Sequence, residues 1–237
     1  MSKKLDTRRI LCISDQHMPF EHKDMFRFLA AIKRKYKPTL IVNGGDEIDA
    51  HALSFHDSDS DLPSAGDELL RAIKKLKQLE KMFPDMLILD SNHGSLAARR
   101  LKHHGIPMKY LATPHQIYGV STKWQWVNDL TLTLPNGQSV YFCHGMTKQG
   151  IKLAAQRGTN VVQFHFHTDF RIDYIGNPNS LLWSLQSGCL IDRKSLAFAY
   201  DKLNLNRPII GTSMIVDAKP LLIPMELDRH GRWTGSL

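Results

Sequence analysis

The first half of the chain switches between two hydrophobic rhythms. Short apolar runs, Arg9-Ile-Leu-Cys-Ile-Ser14, Leu40-Ile-Val-Asn43 and Met86-Leu-Ile-Leu-Asp90, read as buried strands bounded by polar turns. Between them, apolar residues recur at helical spacing. Met25, Phe26, Leu29 and Ile32 predict a helix over 23–35, which Lys37-Pro38 ends. Leu69, Ile73, Leu76 and Phe83 predict a long amphipathic helix over 64–83, with Arg71, Lys74, Lys75, Lys77 and Lys81 on a solvated face. Residues 50–64, rich in Ser, Asp and His with no period, read as a loop that could border a site. A short helix carrying Arg99 and Arg100 follows the third strand.

Beyond about residue 115 the α/β alternation gives way to strands and turns. Leu130-Thr-Leu-Thr-Leu134 alternates, Pro135-Asn136-Gly137 reads as a hairpin turn, and Val140-Tyr-Phe-Cys143 returns into His144. A short helix is expected over 151–156 and a strand over 161–166, with His165-Phe-His167 near its end. The remainder reads as antiparallel strands, with turns at Asn177-Pro178 and at 228–231. No repeat, low-complexity tract or linker interrupts residues 1–237, so one domain is expected.

Composition narrows the class. An apolar content of 42 % with 23 % charged residues suits a protein with a packed core, and no stretch approaches the roughly 20 apolar residues of a membrane span. Cys12, Cys143 and Cys189 are odd in number and lie in or beside apolar runs, which argues against a disulfide framework. Together with a charged N-terminus lacking an apolar signal region, this predicts a reducing, cytoplasmic location. A formal net charge of +8 favours an anionic partner, nucleic acid foremost.

The chemistry collects where the apolar runs stop. In Leu40-Ile-Val-Asn-Gly-Gly-Asp46-Glu-Ile-Asp49, two glycines let the backbone turn and release Asp46 at a strand's carboxyl end, where ligands of α/β sheets bind. Asp15 and His17 follow the first run, and Asn92 and His93 the third; His144, His165 and His167 follow later ones. The strand period of two would point Asp15 and His17 to one side, and likewise His165 and His167, making two-pronged ligands. Carboxylate and imidazole donors suit Mn, Fe or Zn. These donors exceed what one ion needs, and a shared carboxylate is the usual way to hold two ions close together. Asp46 is the residue on which the others converge. Cys143 is either a thiolate neighbour of His144 or a buried, inert cysteine.

In order and spacing these motifs resemble those of the calcineurin-like metallophosphoesterases, which run D-x-H, G-D, G-N-H-[DE], H and G-H-x-H. Here they read Asp15-Gln-His17, Gly45-Asp46, Ser91-Asn92-His93-Gly94, His144 and Phe164-His165-Phe-His167. The resemblance implies an α/β four-layer α-β-β-α sandwich, with two mixed β-sheets flanked by helices and a dinuclear site at the strand ends. It implies two divalent transition metals, Mn foremost. Asp15, His17, Asp46 and His167 would hold the first, and Asp46, Asn92, His144 and His165 the second, with His93 catalytic beside the phosphate. Two departures from the pattern matter. Gly94 replaces the usual acid, which removes a carboxylate from beside His93, and Phe164 replaces a glycine, which bears on substrate access. Asp49, at a spacing resembling the phosphatase branch, is expected to orient His93, while Ala50 stands where that branch has an arginine. Arg99 and Arg100 are candidate phosphate clamps. The expected activity is a phosphodiesterase or nuclease acting on nucleic acid or nucleotides. The alternative is a phosphomonoesterase resembling the protein phosphatases.

Overall fold

The computed structural model describes residues 5–55, 60–178, 180–195 and 207–237. The three early apolar runs form parallel strands β1 (Arg9–Ile13), β2 (Leu40–Asn43) and β3 (Met86–Leu89), joined by β4 (Trp124–Val127). Strands β10 (Gly211–Val216) and β11 (Lys219–Pro224) add antiparallel at the other edge, giving the order β11-β10-β1-β2-β3-β4. A second sheet has the order β5-β6-β7-β9-β8. It contains β5 (Leu130–Thr133), β6 (Ser139–Cys143), β7 (Asn160–Gln163), β8 (Phe170–Asn177) and β9 (Ser180–Ser187). Both sheets are mixed. In the second, as in the mixed sheets the resemblance implied, β6, β7 and β9 run parallel and only the two outer pairs are antiparallel; β9 corrects the expectation that the strands beyond His167 are all antiparallel.

The continuous apolar runs follow from burial on both faces. Ile10 and Cys12 of β1 pack with Val42, Leu89, Phe142, Val162, Trp183 and Leu185 between the sheets. Leu11 and Ile13, on the alternate face, pack under α1 (Met25–Tyr36) and α2 (Ala65–Met82) with Phe28, Leu29, Ile32, Leu76 and Leu79. On the far side, α5 (Gly150–Arg157) covers the second sheet with Leu153 and Ala154 against Tyr141, Cys143 and Val161. The result is four layers, helix, sheet, sheet, helix. Cys12, Cys143 and Cys189 are free and buried, and burial pushes the Cys143 thiol up to about 12, so it is an inert core residue.

On the helix between 64 and 83 the expected line does face the core, with Leu76 and Phe83 buried, and it is wider than expected. Glu68, Ala72, Leu76 and Leu79 are its buried residues, while Leu69 and Ile73 are half-buried. Glu68 goes inside because its carboxylate accepts the backbone N–H groups of His51 (2.9 Å) and Ala52 (3.3 Å). Within the 50–64 segment these bonds hold a 3-10 turn over His51–Leu53; its residues 56–59 lie outside the described set. On the same helix Lys75 is not merely solvated, since it pairs with the buried Glu21 at 2.5 Å.

Candidate metal centre

Five strand ends from two sheets meet at one edge of the sandwich. Strand β1 stops at Ile13 and β7 at Gln163, so Asp15, His17, His165 and His167 all lie beyond the strands. The period of two therefore does not govern them. Asp15, His17, Asp46 and His165 are left-handed, with φ of 51°, 47°, 50° and 71°. Such backbone costs on the order of 1–3 kcal/mol per non-glycine residue and persists only where neighbours over-determine it. Here the first two loops lock together. Gly44 N–H donates to Ile13 (2.8 Å), Asp15 N–H to Gly45 (3.0 Å) and His17 N–H to Asp46 (2.9 Å).

The glycines of the Asp46 turn are required by contact as well as by dihedral. Gly45 has φ of 98°, and a Cβ there would meet Ser91 Cβ at 2.5 Å. A Cβ on Gly44 would lie 2.1 Å from the Phe164 ring. Phe164 is thus packed flat on the Gly44 backbone in the core between the sheets, not at an entrance to the site, which corrects the expected effect on substrate access.

The ligating atoms fall into groups whose members all lie within 4.8 Å of one another: Asp15, His17 and His167; Asp46, His144 and His165; and His17, Asp49 and His93, which shares His17 with the first. In the first, His167 Nε2 is 3.1 Å from Asp15 Oδ1 and His17 Nε2 is 3.9 Å from it. In the second, His144 Nε2 is 3.1 Å from Asp46 Oδ2 and 2.7 Å from Asn92 Oδ1. His17 Nε2, 3.6 Å from Asp46 Oδ2, joins the two. His165 and His167, two residues apart, are therefore dealt to different groups. A supporting layer holds the ligands: His144 Nδ1 donates to Gly44 O (2.7 Å), Ser14 Oγ donates to Asp15 Oδ2 (2.5 Å), and His93 N–H donates to Asp46 Oδ1 (2.9 Å). Such partners fix ring orientation and tautomer at metal centres.

Asp49 stands differently from the expectation. Its Oδ1 is 2.6 Å from His17 Nδ1 but 3.6 Å from His93 Nδ1, too long for a hydrogen bond. His93 Nδ1 instead donates to the backbone carbonyl of Asp49. The carboxylate orients His17, and the main chain orients His93. Arg99 donates to Asn92 O (2.7 Å), and Arg100 donates to Leu53 O (2.8 Å) and Ser54 O with its guanidinium 4.2 Å from the Phe55 ring centre. Both arginines hold the loops around His93 in place. Ser91, whose Oγ accepts the N–H groups of Asp46 (2.9 Å) and Gly94 (3.1 Å), and Glu68 were not singled out in the sequence. Ser91 stands where the family pattern has glycine, and Glu68 is an acid in line with Ala72 and Leu76; both signals were legible.

Electrostatics fit a cation centre. Burial opposes ionisation of Asp46, yet the facing histidines, His144 first, outweigh it and hold the carboxyl well below its usual range. Asp15 is likewise lowered, burial being outweighed by the hydrogen bond from His167. In return, and against burial, Asp46 raises His144 to about 9 and Asp15 raises His167. Burial and the nearby His144 lower His165. Each buried carboxylate thus favours positive charge beside it, the place that a divalent cation would take. Among the described residues the groups are made of carboxylate oxygen and imidazole nitrogen donors, a set suited to Mn, Fe or Zn.

A layered α/β sandwich with paired Asp/His clusters at the strand ends defines the class. The chain belongs to the calcineurin-like phosphoesterase family, whose model matches residues 8–193. No curated protein matches it in sequence. Among solved structures it is similar to an archaeal phosphodiesterase, with 11 % identity and a TM-score of 0.50 over 91 % of this chain and 99 % of that one. It is also similar to Vps29 of Chaetomium thermophilum, with 9 % identity and a TM-score of 0.51 over 96 % and 94 %. At such identities the likeness is one of fold. Among the described residues no helix is long and apolar enough to cross a membrane.

Proposed function

We propose that the protein hydrolyses phosphodiesters of nucleic acid or nucleotides with two divalent transition metals. The observation that carries this reading is the pair of ligand groups joined across Asp46 and His17 Nε2, with His93 beside them. Asp15, His17 and His167 would hold one cation, and Asp46, Asn92, His144 and His165 the other, with Asp46 shared between them. Such a pair polarises a phosphoryl group and stabilises both the entering and the leaving oxygen.

The chain's own residues do the rest. His93, 24 % exposed in its side chain and 4.5 Å from the His17 ring, is the partly open imidazole at the rim. With Nδ1 donating to Asp49 O, its Nε2 is left to face substrate, where it can protonate the departing alkoxide. Asp49 keeps His17 in the tautomer that presents Nε2 to the ligand group. Ala50 brings no phosphate-binding arginine to the turn after Asp49, which favours diesters over monoesters. The net charge of +8 favours a polyanionic substrate.

The test is a Mn²⁺-supplemented assay comparing p-nitrophenyl phosphate, bis-p-nitrophenyl phosphate and labelled single- and double-stranded DNA. Diester cleavage abolished in Asp46→Asn supports the reading. Turnover of the monoester alone would transfer the protein to the phosphomonoesterases.

A further inference from the structure

The loop 91–94 has two sides. Asn92 and His93 turn to the ligand groups, through His144 and Asp46. Ser91 and Gly94 instead wall a cleft of about 200 Å³, which Glu47, Tyr118, Trp126 and Asn128 complete. It is smaller than the roughly 300–1,000 Å³ of a drug-sized pocket, so it has room for about one planar ring system.

Two features mark the cleft as a binding place. Tyr118 is only 6 % exposed, yet its hydroxyl makes no hydrogen bond among the described residues while the side chain lines the cleft. A hydroxyl on a cleft wall that no protein group has taken is free to bond a ligand's polar atom. Trp126, half-buried, is held in place by its Nε1–H donating to Glu47 Oε1 (3.1 Å), by an edge contact with His115 and by a tilted contact with Tyr118. An oriented indole with part of its surface open is a stacking platform.

The charges say what enters. The Glu47 carboxyl lines the interior as a hydrogen-bonding group, and the exposed Asp90 on the lining repels phosphate from the cleft. A flat, uncharged ring that donates N–H groups is accepted. Gly94 keeps the way open: a Cβ built on it points at Ser91 Oγ, 2.9 Å away, so the acid usual at this place would project into the cleft. We propose that the cleft is a nucleobase subsite, selecting bases with an exocyclic amine, next to the phosphate position at the ligand groups. The phosphate's placement rests on the phosphodiesterase reading; the binding of the base does not.

The test uses the full chain labelled with ¹⁵N, without added metal, titrated with adenosine, cytidine, guanosine and uridine. The reporter is the Trp126 indole N–H signal, assigned with Trp126→Phe. At about 10 mM nucleoside, tenfold above a millimolar Kd, the amine-bearing nucleosides should shift it, and uridine should shift it less. Tyr118→Phe, which removes one oxygen and no packing, should weaken binding about five- to tenfold. Gly94→Asp should abolish it, with the remaining signals reporting that the variant is folded. An indole signal that no nucleoside moves, or binding that survives Tyr118→Phe unchanged, overturns the subsite. Diester hydrolysis without nucleoside binding overturns the subsite alone. Nucleoside binding without hydrolysis of any ester overturns the phosphodiesterase reading and leaves the subsite standing.

Discussion

Asp46 is where the two ligand groups meet, and like Asp15 it is almost wholly buried, at 1 % exposure. An amide there keeps the shape but loses the charge that two cations would share. Asp46→Asn should therefore reduce bound Mn²⁺ from about two ions per chain to one or fewer, read by elemental analysis after saturation and desalting. Asp49 predicts a different pattern. Its carboxylate holds His17 and its main-chain carbonyl holds His93, so Asp49→Asn should weaken metal binding by about 10–100-fold, as loss of an outer partner does. Unchanged metal affinity in that variant, with only kcat reduced, would restore the Asp49–His93 pairing expected from the sequence. His144 makes the third prediction at this scale. Its pKa near 9 lies above the unfolded value, so without metal its charge pair with Asp46 contributes stability below about 6.5, and that contribution is lost as pH rises through about 9. A cation must displace that proton. Metal binding at pH 7.5 should release at least one proton per chain, measured by calorimetry in two buffers of different ionisation enthalpy.

The elements are tied by buried carboxylates rather than by helix propensity alone. Asp24, just before α1, caps nothing with its side chain; it accepts two bonds from Arg232 (both 2.7 Å), one from Trp233 N–H (3.1 Å) and one from Arg27 (3.0 Å). This joins the end of the chain to the first helix, with Trp233 packed edge-on against Phe28. The Arg232 guanidinium is the chief reason the Asp24 carboxyl is held below its usual range. Because both arginines are half or more exposed, solvent screens the pair. Asp24→Ala should cost about 2 kcal/mol in urea unfolding at neutral pH. The sign with pH follows from a depressed pKa: the contribution is full above the unfolded carboxylate range near 4 and disappears as pH falls through the lower folded value. The gap between wild type and Asp24→Ala should narrow in acid, and a gap that stays constant down to about pH 2 would show that packing, not charge, sets it.

Across the whole molecule, a net charge of +8 sits on a fold whose ligand groups open at one edge. The helix that follows His93, α3 (Leu96–His103), carries Arg100, Lys102 and His103 in its last turn. If phosphodiester polymers bind here, cations displace condensed counterions. A His93→Ala variant should bind DNA or RNA with an affinity that falls steeply with salt, at a log–log slope of about −3 or beyond for three or more phosphates neutralised. A slope near zero would point to a small nucleotide engaging only the metal groups and the cleft.

Much of this was written locally. Apolar runs buried on both faces predict parallel strands whatever else the chain does, so β1, β2 and β3, the helices between them and the polar groups after each run were legible residue by residue. The family motifs ran through the same positions. Distance along the chain hid the rest. That β10 crosses back to pair with β1, and that Phe164 fills the space left by Gly44, depend on contacts between segments 120 or more residues apart. The family resemblance implied that His165 and His167 go to different groups, but strand alternation did not; the split is built by strands that stop early and left-handed turns that only their neighbours can impose. Asp49 illustrates the division most plainly. Its nearness to the metal ligands was readable from Gly-Asp-x-x-Asp, but which histidine its carboxylate reaches is a matter of about 1 Å, 2.6 Å against 3.6 Å. A hydrogen bond is lost over that interval. Sequence periodicity places side chains on a face, whereas such an interval is set by the packing of every element that carries them.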